Sequence, residues 1–305
     1  MTADNEGAVI ALGFFDGVHR GHAQLIEMAK KRAAERGAEP AVLSFDASPM
    51  SVVTGKNVPL IGNIASREDT IRRLFGVEKV IIYHFDKEIM AMPWRDFIDS
   101  LVHQFSAVHF VIGHDFHCGY KGEGNPERIS QYCEELGLGC DVIPKYTVDG
   151  ITVSSTYIRG LIAEGDIRRA NLFLGHPYSV TGTVADGRKV GRKLGTPTIN
   201  LGFDPEMVLP AKGVYATRVV LDGNTVLPAV TNVGIRPTFG DGSQVSVDSF
   251  FLDFSGDLYG TFVRVDFYEF IRPERKFEGP NELSAQIHAD AETARNLLLA
   301  LDGEN

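Results

Sequence analysis

A glycine-rich segment near the start of the chain carries two histidines at a spacing that suits phosphate chemistry. Residues 13–22 are GFFDGVHRGH, and they follow a short apolar run at 8–12. A strand that leads through a glycine-rich turn into a helix exposes backbone N–H groups where the helix begins, and an anion is favoured there. His19 and His22 can both face that anion. Gly21 between them leaves room for a phosphate to come close to the backbone.

These residues suit the transfer of a nucleotidyl group. The attacking group is then already an anionic phosphate, so the protein need not supply a nucleophile. The site must instead hold the reactants in line and stabilise the charge that grows on the α-phosphate. The candidate residues of this first segment are Gly13, Phe15, Asp16, Gly17, His19, Gly21 and His22. The alternative interpretation is a plain helix start with two histidines on the surface.

A second segment, TVSSTYIRG at 152–160, precedes a helix-like stretch. Ser154, Ser155 and Thr156 are residue types that commonly cap helices. Together with Arg159 in the first turn, their hydroxyls can also hold the β- and γ-phosphates of a nucleotide. Plain capping is the alternative, but the pairing with the first segment favours a phosphate site.

A third segment, GTVADGRKVGRKLGTPTINL at 182–201, concentrates positive charge in an otherwise acidic chain. Such a loop can wrap a polyphosphate with backbone N–H groups and side-chain charge. The P-loop pattern is absent, so a nucleotide site here would be of another type. The candidate residues of the loop are Gly187, Arg188, Gly191, Arg192 and Gly195. The alternative is a basic hairpin at the edge of a barrel.

Thr198 and Asn200 follow this loop and place a hydroxyl and an amide oxygen close together. Both are hard oxygen donors, which suit Mg²⁺ that arrives with a nucleotide. We therefore take these two residues as candidate metal ligands.

The elements that would position these segments differ between the two halves of the chain. In the first half, strand-like runs at 8–12, 41–45, 79–84 and 108–112 alternate with helical stretches. That order is typical of a parallel sheet with helices on its faces.

The pattern changes near residues 175–177, where short alternating strands separated by glycine and proline turns begin. It predicts a small antiparallel β-barrel, followed by a C-terminal helix that begins at Pro280. We expect two domains, 1–174 and 175–305.

Composition narrows the function classes. The chain has 305 residues, about twice the ~150 of one average domain, and a formal charge of −10. That balance argues against a nucleic-acid partner. The sequence contains no run of about 18 apolar residues, so no membrane span is predicted. No secretory leader is visible. Three cysteines are too few for a disulfide framework, so a reduced, cytoplasmic protein is expected.

The ordered set of motifs resembles the bacterial bifunctional riboflavin kinase/FAD synthetases. GFFDGVHRGH with SSTYIR is similar to their nucleotidyltransferase module, and PTIN at 197–200 is similar to the Pro-Thr-x-Asn motif of their kinase domain. Further similar stretches follow in order, GVYATRV, TNVGIRPTFG, LDFSGDLYG and IRPERKF. The resemblance covers nearly the whole chain.

The resemblance implies a Rossmann-like α/β nucleotidyltransferase domain followed by a β-barrel flavokinase domain. It implies phosphorylation of riboflavin to FMN and adenylylation of FMN to FAD with release of pyrophosphate, each step using ATP and Mg²⁺. Carried over by position, the residues that serve ATP in the adenylyltransferase are His19, His22, Ser155, Thr156 and Arg159. Asp115 falls near nucleotide or flavin, and Thr198 and Asn200 serve Mg-ATP in the kinase.

The chain also departs from the family pattern. The resemblance implies a glutamate as the general base of the kinase, and Asp248 stands there with a side chain one methylene shorter. In the first half, Phe14, FDASP at 45–49 and GHDFHCG at 113–119 differ from the usual residues. Two alternatives therefore stay open: an enzyme with only one active half, and a flavin-binding protein without catalysis.

Overall fold

The computed structural model describes residues 7–185, 198–221, 225–237, 243–252, 254, 256 and 258–303. They form two compact units. The first comprises the residues up to Val58 together with Asn63–Ser155, and the second comprises Pro59–Gly62 together with the residues from Thr156 onward.

The first unit is built on a five-stranded parallel sheet, as the alternation of strands and helices predicts. Its strands are β1 (Ala8–Leu12), β2 (Glu39–Phe45), β3 (Lys79–Tyr83), β4 (Ala107–Gly113) and β5 (Gly139–Ile143), in the spatial order β3-β2-β1-β4-β5. Its helices are α1 (Arg20–Arg36), α2 (Pro49–Thr54), α3 (Ile64–Phe75), α4 (Lys87–Ala91), α5 (Trp94–Phe105) and α6 (Pro126–Glu135). A small hairpin, β6 (Thr147–Val148) and β7 (Ile151–Thr152), precedes the next helix.

The central strand β1 is buried on both faces because helices cover both sides of the sheet. Ile10 and Leu12 pack into one apolar cluster with α5 and α6, whereas Val9 and Ala11 pack into another with α1. This alternation is the two-residue period of a strand. The carboxyl end of β1 and the start of α1 lie at one edge of the sheet, which is where open α/β sheets bind ligands.

The second unit is a closed six-stranded barrel, which confirms the predicted antiparallel barrel. Two helices, α7 (Ser155–Glu164) and α8 (Ile167–Leu174), come before it in the chain. The strands are β8 (Tyr178–Ala185), β9 (Thr198–Phe203), β10 (Gly213–Leu221), β11 (Thr225–Pro237), β12 (Ser243–Phe251) and β13 (Phe262–Arg272). Their order around the barrel is β10-β11-β12-β9-β8-β13.

The last helix, α9 (Pro280–Gly303), begins at the predicted residue and covers one side of the barrel. Its Ala294 and Leu298 pack against Val214, Ala216 and Val230.

Inside the barrel, a chain of hydroxyl groups crosses three strands. Thr217 is 2.7 Å from Thr231, and Thr231 is 2.8 Å from Ser249, measured between the hydroxyl oxygens. All three side chains are fully buried.

Within the described ranges, no helix is both long enough and apolar enough to cross a membrane.

Candidate active sites

The turn between β1 and α1 is tightly held in an unusual backbone conformation. Phe15, Gly17 and Val18 all have positive φ angles, of 55°, 78° and 43°. Phe15 and Val18 are buried. A positive φ in a β-branched residue such as valine is a strained conformation, and it persists only where the surroundings enforce it. The turn is therefore a rigid approach to the first turn of α1.

His19 and His22 lie where the sequence places them, at the start of α1. His19 is the N-cap, and its Nδ1 accepts a hydrogen bond of 3.2 Å from the backbone N–H of His22. The two imidazole rings are stacked, with centres 3.6 Å apart and planes within 9°. Because Nδ1 accepts, the proton of the neutral His19 ring resides on Nε2. That N–H and the positive end of the helix dipole suit an anion.

His22 is held in its uncharged form. Burial, the neighbouring His19 ring and the Arg67 guanidinium lower the pKa of His22 well below its usual value. Its Nδ1 is buried with no hydrogen-bond partner among the described residues. Phe15 lies 5.0 Å from the ring.

Gly21 gives the His19 ring its space. A Cβ atom at position 21 would lie 3.1 Å from Cε1 and 3.2 Å from Nδ1 of His19. The glycine expected to admit a phosphate therefore also admits the imidazole that caps the helix.

The structure brings part of the second segment to the first. The Ser155 hydroxyl donates a 3.0 Å hydrogen bond to the backbone carbonyl of Asp16. Asp16 is buried within the turn. Thr156 and Arg159 follow Ser155 in the first turns of α7, while Ser154 immediately precedes the helix.

Two further predicted residues lie at the carboxyl edge of the sheet. Gly13 follows β1, and its N–H donates to the carbonyl of Leu43 in β2 over 3.2 Å. Asp115 lies just beyond β4, the strand next to β1, with an exposed side chain. The edge therefore presents predicted residues from neighbouring parallel strands.

Arg67 is a residue of this region that the sequence analysis missed. It is 1% exposed, the largest fully buried side chain among the described residues. Its Nη1 lies 2.8 Å from the carbonyl oxygen of Phe14 and 3.0 Å from that of Phe45. Arg67 shares the buried face of α3 with Thr70 and Ile71, and the charged sequence of this helix carries no local signal of that burial.

In the barrel, strand register brings together the predicted kinase residues. Asn200 on β9 and Asn232 on β11 are both direct partners of Asp248 on β12. Directly paired residues project from the same side of a sheet. Thr198, two residues before Asn200 on β9, projects from that side as well. A hydroxyl, an amide and a carboxylate therefore share one face.

Hydrogen bonds hold the residues around Asp248. The Ser246 hydroxyl donates to Oδ2 of Asp248 over 3.0 Å. Asn232 donates through Nδ2 to Oε1 of Glu274 over 3.1 Å. Asn232 is thus tied to a second carboxylate while its strand position faces Asp248.

Comparison with known proteins covers both halves of the chain. The FAD synthetase family model matches residues 1–157, and the riboflavin kinase model matches residues 174–298. The bifunctional riboflavin kinase/FMN adenylyltransferase of Listeria monocytogenes is 34% identical over 96% of this chain and 93% of its own length. The corresponding protein of Bacillus subtilis is 35% identical over 94% of this chain and 91% of its own. The chain belongs to this family.

A solved structure is similar to this chain over nearly its full length. The crystal structure described as a macrolide-efflux protein from Streptococcus pneumoniae is similar with a TM-score of 0.84 and 29% identity. The likeness covers 96% of this chain and 95% of that one.

Membership of the bifunctional riboflavin kinase/FMN adenylyltransferases leaves the individual site residues as predictions. Thr198, Asn200 and Asp248 are described and share one face of the barrel. The predicted polyphosphate loop lies outside the described residues, and with it Gly187, Arg188, Gly191, Arg192 and Gly195.

Proposed function

We propose that this protein phosphorylates riboflavin to FMN in its barrel and adenylylates FMN to FAD in its α/β unit, using ATP for both steps. The observation that carries the proposal is the stacked pair His19 and His22 at the start of α1, within the half matched by the FAD synthetase family. The grouping of Asn200 and Asp248 supports the kinase step in the same way.

In adenylylation, the phosphate of FMN attacks the α-phosphorus of ATP and pyrophosphate leaves. The attacking oxygen is already anionic, so the task of the site is alignment and charge stabilisation. Nε2–H of His19, at the N-cap of α1, would donate to the charge that develops on the α-phosphate. Ser155, Thr156 and Arg159 would hold the β- and γ-phosphates of the leaving group.

In the kinase step, Asp248 would take the proton of the ribityl 5′-hydroxyl as that oxygen attacks the γ-phosphorus of ATP. Thr198 and Asn200 would hold Mg²⁺. Their hydroxyl and amide oxygens fit an ion that usually keeps several waters and phosphate oxygens as ligands. When bound, the ion neutralises charge on the transferring phosphoryl group.

We further propose a domain boundary at 174/175, which the start of the riboflavin kinase match at residue 174 supports. The partners are the small molecules riboflavin, FMN and ATP, rather than nucleic acid or a membrane. The formal charge of −10 supports this, because both of those surfaces are anionic. We expect the protein to act in the cytoplasm, where ATP is available.

The test is a time course of riboflavin, FMN and FAD by chromatography, started in one tube from riboflavin and in another from FMN, with ATP and Mg²⁺. FMN followed by FAD is expected in the first tube. The double substitution of His19→Ala with His22→Ala should abolish FAD formation while FMN still forms. If that variant makes FAD normally, the assignment of the α/β unit is wrong.

The second tube separates the remaining alternatives. FAD made from FMN but not from riboflavin would locate a defect in the barrel, at Asp248. No product in either tube would leave only flavin binding, which a titration of flavin fluorescence would then measure.

A further inference from the structure

Arg67 joins the ends of two strands beneath the adenylyl-transfer turn. Its Nη1 reaches the Phe14 carbonyl after β1, the Phe45 carbonyl at the end of β2, and the Ser44 hydroxyl at 2.5 Å. Ser44 itself donates to the same Phe14 carbonyl over 2.8 Å. The guanidinium carbon also lies 4.6 Å from the centre of the Phe14 ring. One buried cation therefore fixes the residue that begins the turn into α1.

The other two nitrogens of the Arg67 guanidinium differ from Nη1 in their hydrogen bonding. Nε and Nη2 of Arg67 are buried and have no hydrogen-bond partner among the described residues. A buried N–H without a partner costs about 1–3 kcal/mol, and more when the group is charged. Folding stability alone does not account for an arginine in this position, since an apolar side chain would avoid the cost.

Charges on both sides of Arg67 link it to the histidine pair. Burial lowers the pKa of Arg67, and the carboxylates of Asp16, Asp46 and Glu68 oppose that shift. Burial lowers the pKa of His22 most strongly, and the neighbouring His19 ring and then Arg67 act in the same direction. Arginine keeps its charge throughout the physiological pH range, whereas imidazole does not.

We propose that Arg67 is a positioning residue for FMN adenylylation: it fixes the Phe14–Phe15 turn that leads into α1 and so sets where the histidine pair lies. The inference rests on the proposed adenylyltransferase function of this unit. Arg67 acts through the Phe14 backbone and through its charge, without touching substrate.

The experiment compares Arg67→Met, Arg67→Lys and Ser44→Ala in the full chain. The titration of His22 is followed by NMR of its ring carbons, assigned with His22→Asn, and FAD formation from FMN is measured against pH. Arg67→Met removes the charge, so the His22 midpoint and the acidic limb of kcat should both move to higher pH. kcat should fall by about 100-fold, as expected when reacting groups lose their alignment.

The matched variants separate charge from structure. Arg67→Lys keeps the charge but cannot span the same acceptors with a planar fork. It should leave the His22 midpoint in place while lowering kcat more than it changes the KM for ATP. Ser44→Ala keeps Arg67 and should lower the melting temperature without moving the His22 midpoint. Riboflavin phosphorylation by the barrel serves as the folding control in every variant.

Wild-type kcat for FAD formation in folded Arg67→Met would overturn the proposal and leave Arg67 with a structural role only. If Arg67→Met does not fold, Arg67→Lys is the deciding variant. A kcat for FAD formation equal to that of the wild type would overturn the proposal, and a loss of FAD formation with riboflavin phosphorylation retained would support it. If the wild-type protein makes no FAD, the proposed function fails, whereas the NMR titration still tests the link between Arg67 and His22.

Discussion

The barrel carboxylate is a short side chain in a well-defined place. Asp248 is opposite Asn200 on one neighbouring strand and opposite Asn232 on the other, and Ser246 donates to it. Its strand fixes where the carboxylate can reach. Because a general base must come within about 3 Å of the proton it takes, one methylene would decide how directly Asp248, as the proposed base, meets the ribityl hydroxyl.

We predict that Asp248→Glu raises kcat for riboflavin phosphorylation, because the longer side chain brings the carboxylate closer to the hydroxyl. Asp248→Asn keeps the shape but cannot accept the proton, so it should reduce kcat by about 100-fold or more. Rates are read from FMN formation, and FAD formation from supplied FMN is the control. A rate for Asp248→Asn near that of the wild type would remove Asp248 as the base.

Gly21→Ala should slow FAD formation without unfolding the protein. The added methyl group would lie 3.1 Å from the His19 ring, closer than ordinary van der Waals contact. The ring must move by a few tenths of an ångström, which weakens the hydrogen bond from His22 N–H to His19 Nδ1. The measurement is kcat for FMN adenylylation beside the melting temperature. Gly37→Ala, at the other end of α1, is the control for a helix-end glycine.

Helix α3 illustrates how an element carries a positioning residue. Asn63 caps it, with Oδ1 accepting from the backbone N–H of Ser66 over 3.0 Å. Gly76 ends it in the left-handed conformation, at a φ of 65°. Between these ends, Arg67 lies on the buried face of the helix. The caps therefore fix the segment that delivers the guanidinium beneath the Phe14 turn.

Asn63→Ala should lower the free energy of unfolding by about 1 kcal/mol, the usual effect of losing an N-cap. Asn63→Asp retains an acceptor and should restore most of the loss. Urea unfolding followed by the fluorescence of Trp94, the single tryptophan of the chain, measures both. Equal stability of the alanine and aspartate variants would contradict a capping role for Asn63.

The sequence predicted elements well where local patterns and tertiary packing agree. β1 and β10 lie where expected, since apolar and β-branched residues predominate in each and a glycine marks where each begins. β5 was missed because Gly139 and Asp141 interrupt its apolar residues. Its polar Asp141 is instead explained by hydrogen bonds to Arg32 and His109.

Some residues of the candidate sites could likewise be predicted from the sequence, and others could not. His19 and His22 were predictable because their spacing and the turn before them form a local motif. Arg67 was not, since IASREDTIRRLF resembles an ordinary charged surface helix, and only tertiary contact shows which arginine is buried. Likewise, strand register decides that Asn232 faces Asp248.

At the scale of the whole molecule, buried histidines make stability depend on pH. His109 in β4 is 4% exposed; its Nε2 lies 2.8 Å from Asp141, and its Nδ1 has no partner among the described residues. Burial lowers the pKa of His109, although the hydrogen bond to Asp141 opposes the shift. His22 shifts in the same direction.

The sign of the effect follows from these directions. Below about pH 6.5 the unfolded chain binds protons that folded His109 and His22 resist, so the free energy of unfolding falls with falling pH. His84 has its pKa raised by a hydrogen bond to Asp46, which acts in the opposite direction, but it is exposed and solvent screens it.

We therefore predict a lower free energy of unfolding at about pH 5 than at about pH 7.5. His109→Gln, which removes the titrating ring, should reduce that difference. The measurement is urea unfolding by Trp94 fluorescence at both pH values, with His84→Gln as the exposed control. A pH dependence unchanged by His109→Gln would contradict the role of this histidine.

The hydroxyl chain within the barrel also governs how the strands can be aligned during folding. A slip of β12 by one residue would turn Ser249 outward and bring Asp248 inside the barrel. Burying a carboxylate there is disfavoured because the charge loses its hydration. The double substitution Thr231→Val with Ser249→Ala would remove two hydroxyls of the chain. Only the cost of burying Asp248 would then oppose the slip. Molecules of that variant with a slipped β12 would fold compactly without forming the proposed kinase site. They would be detected as a loss of kinase activity in protein that remains folded.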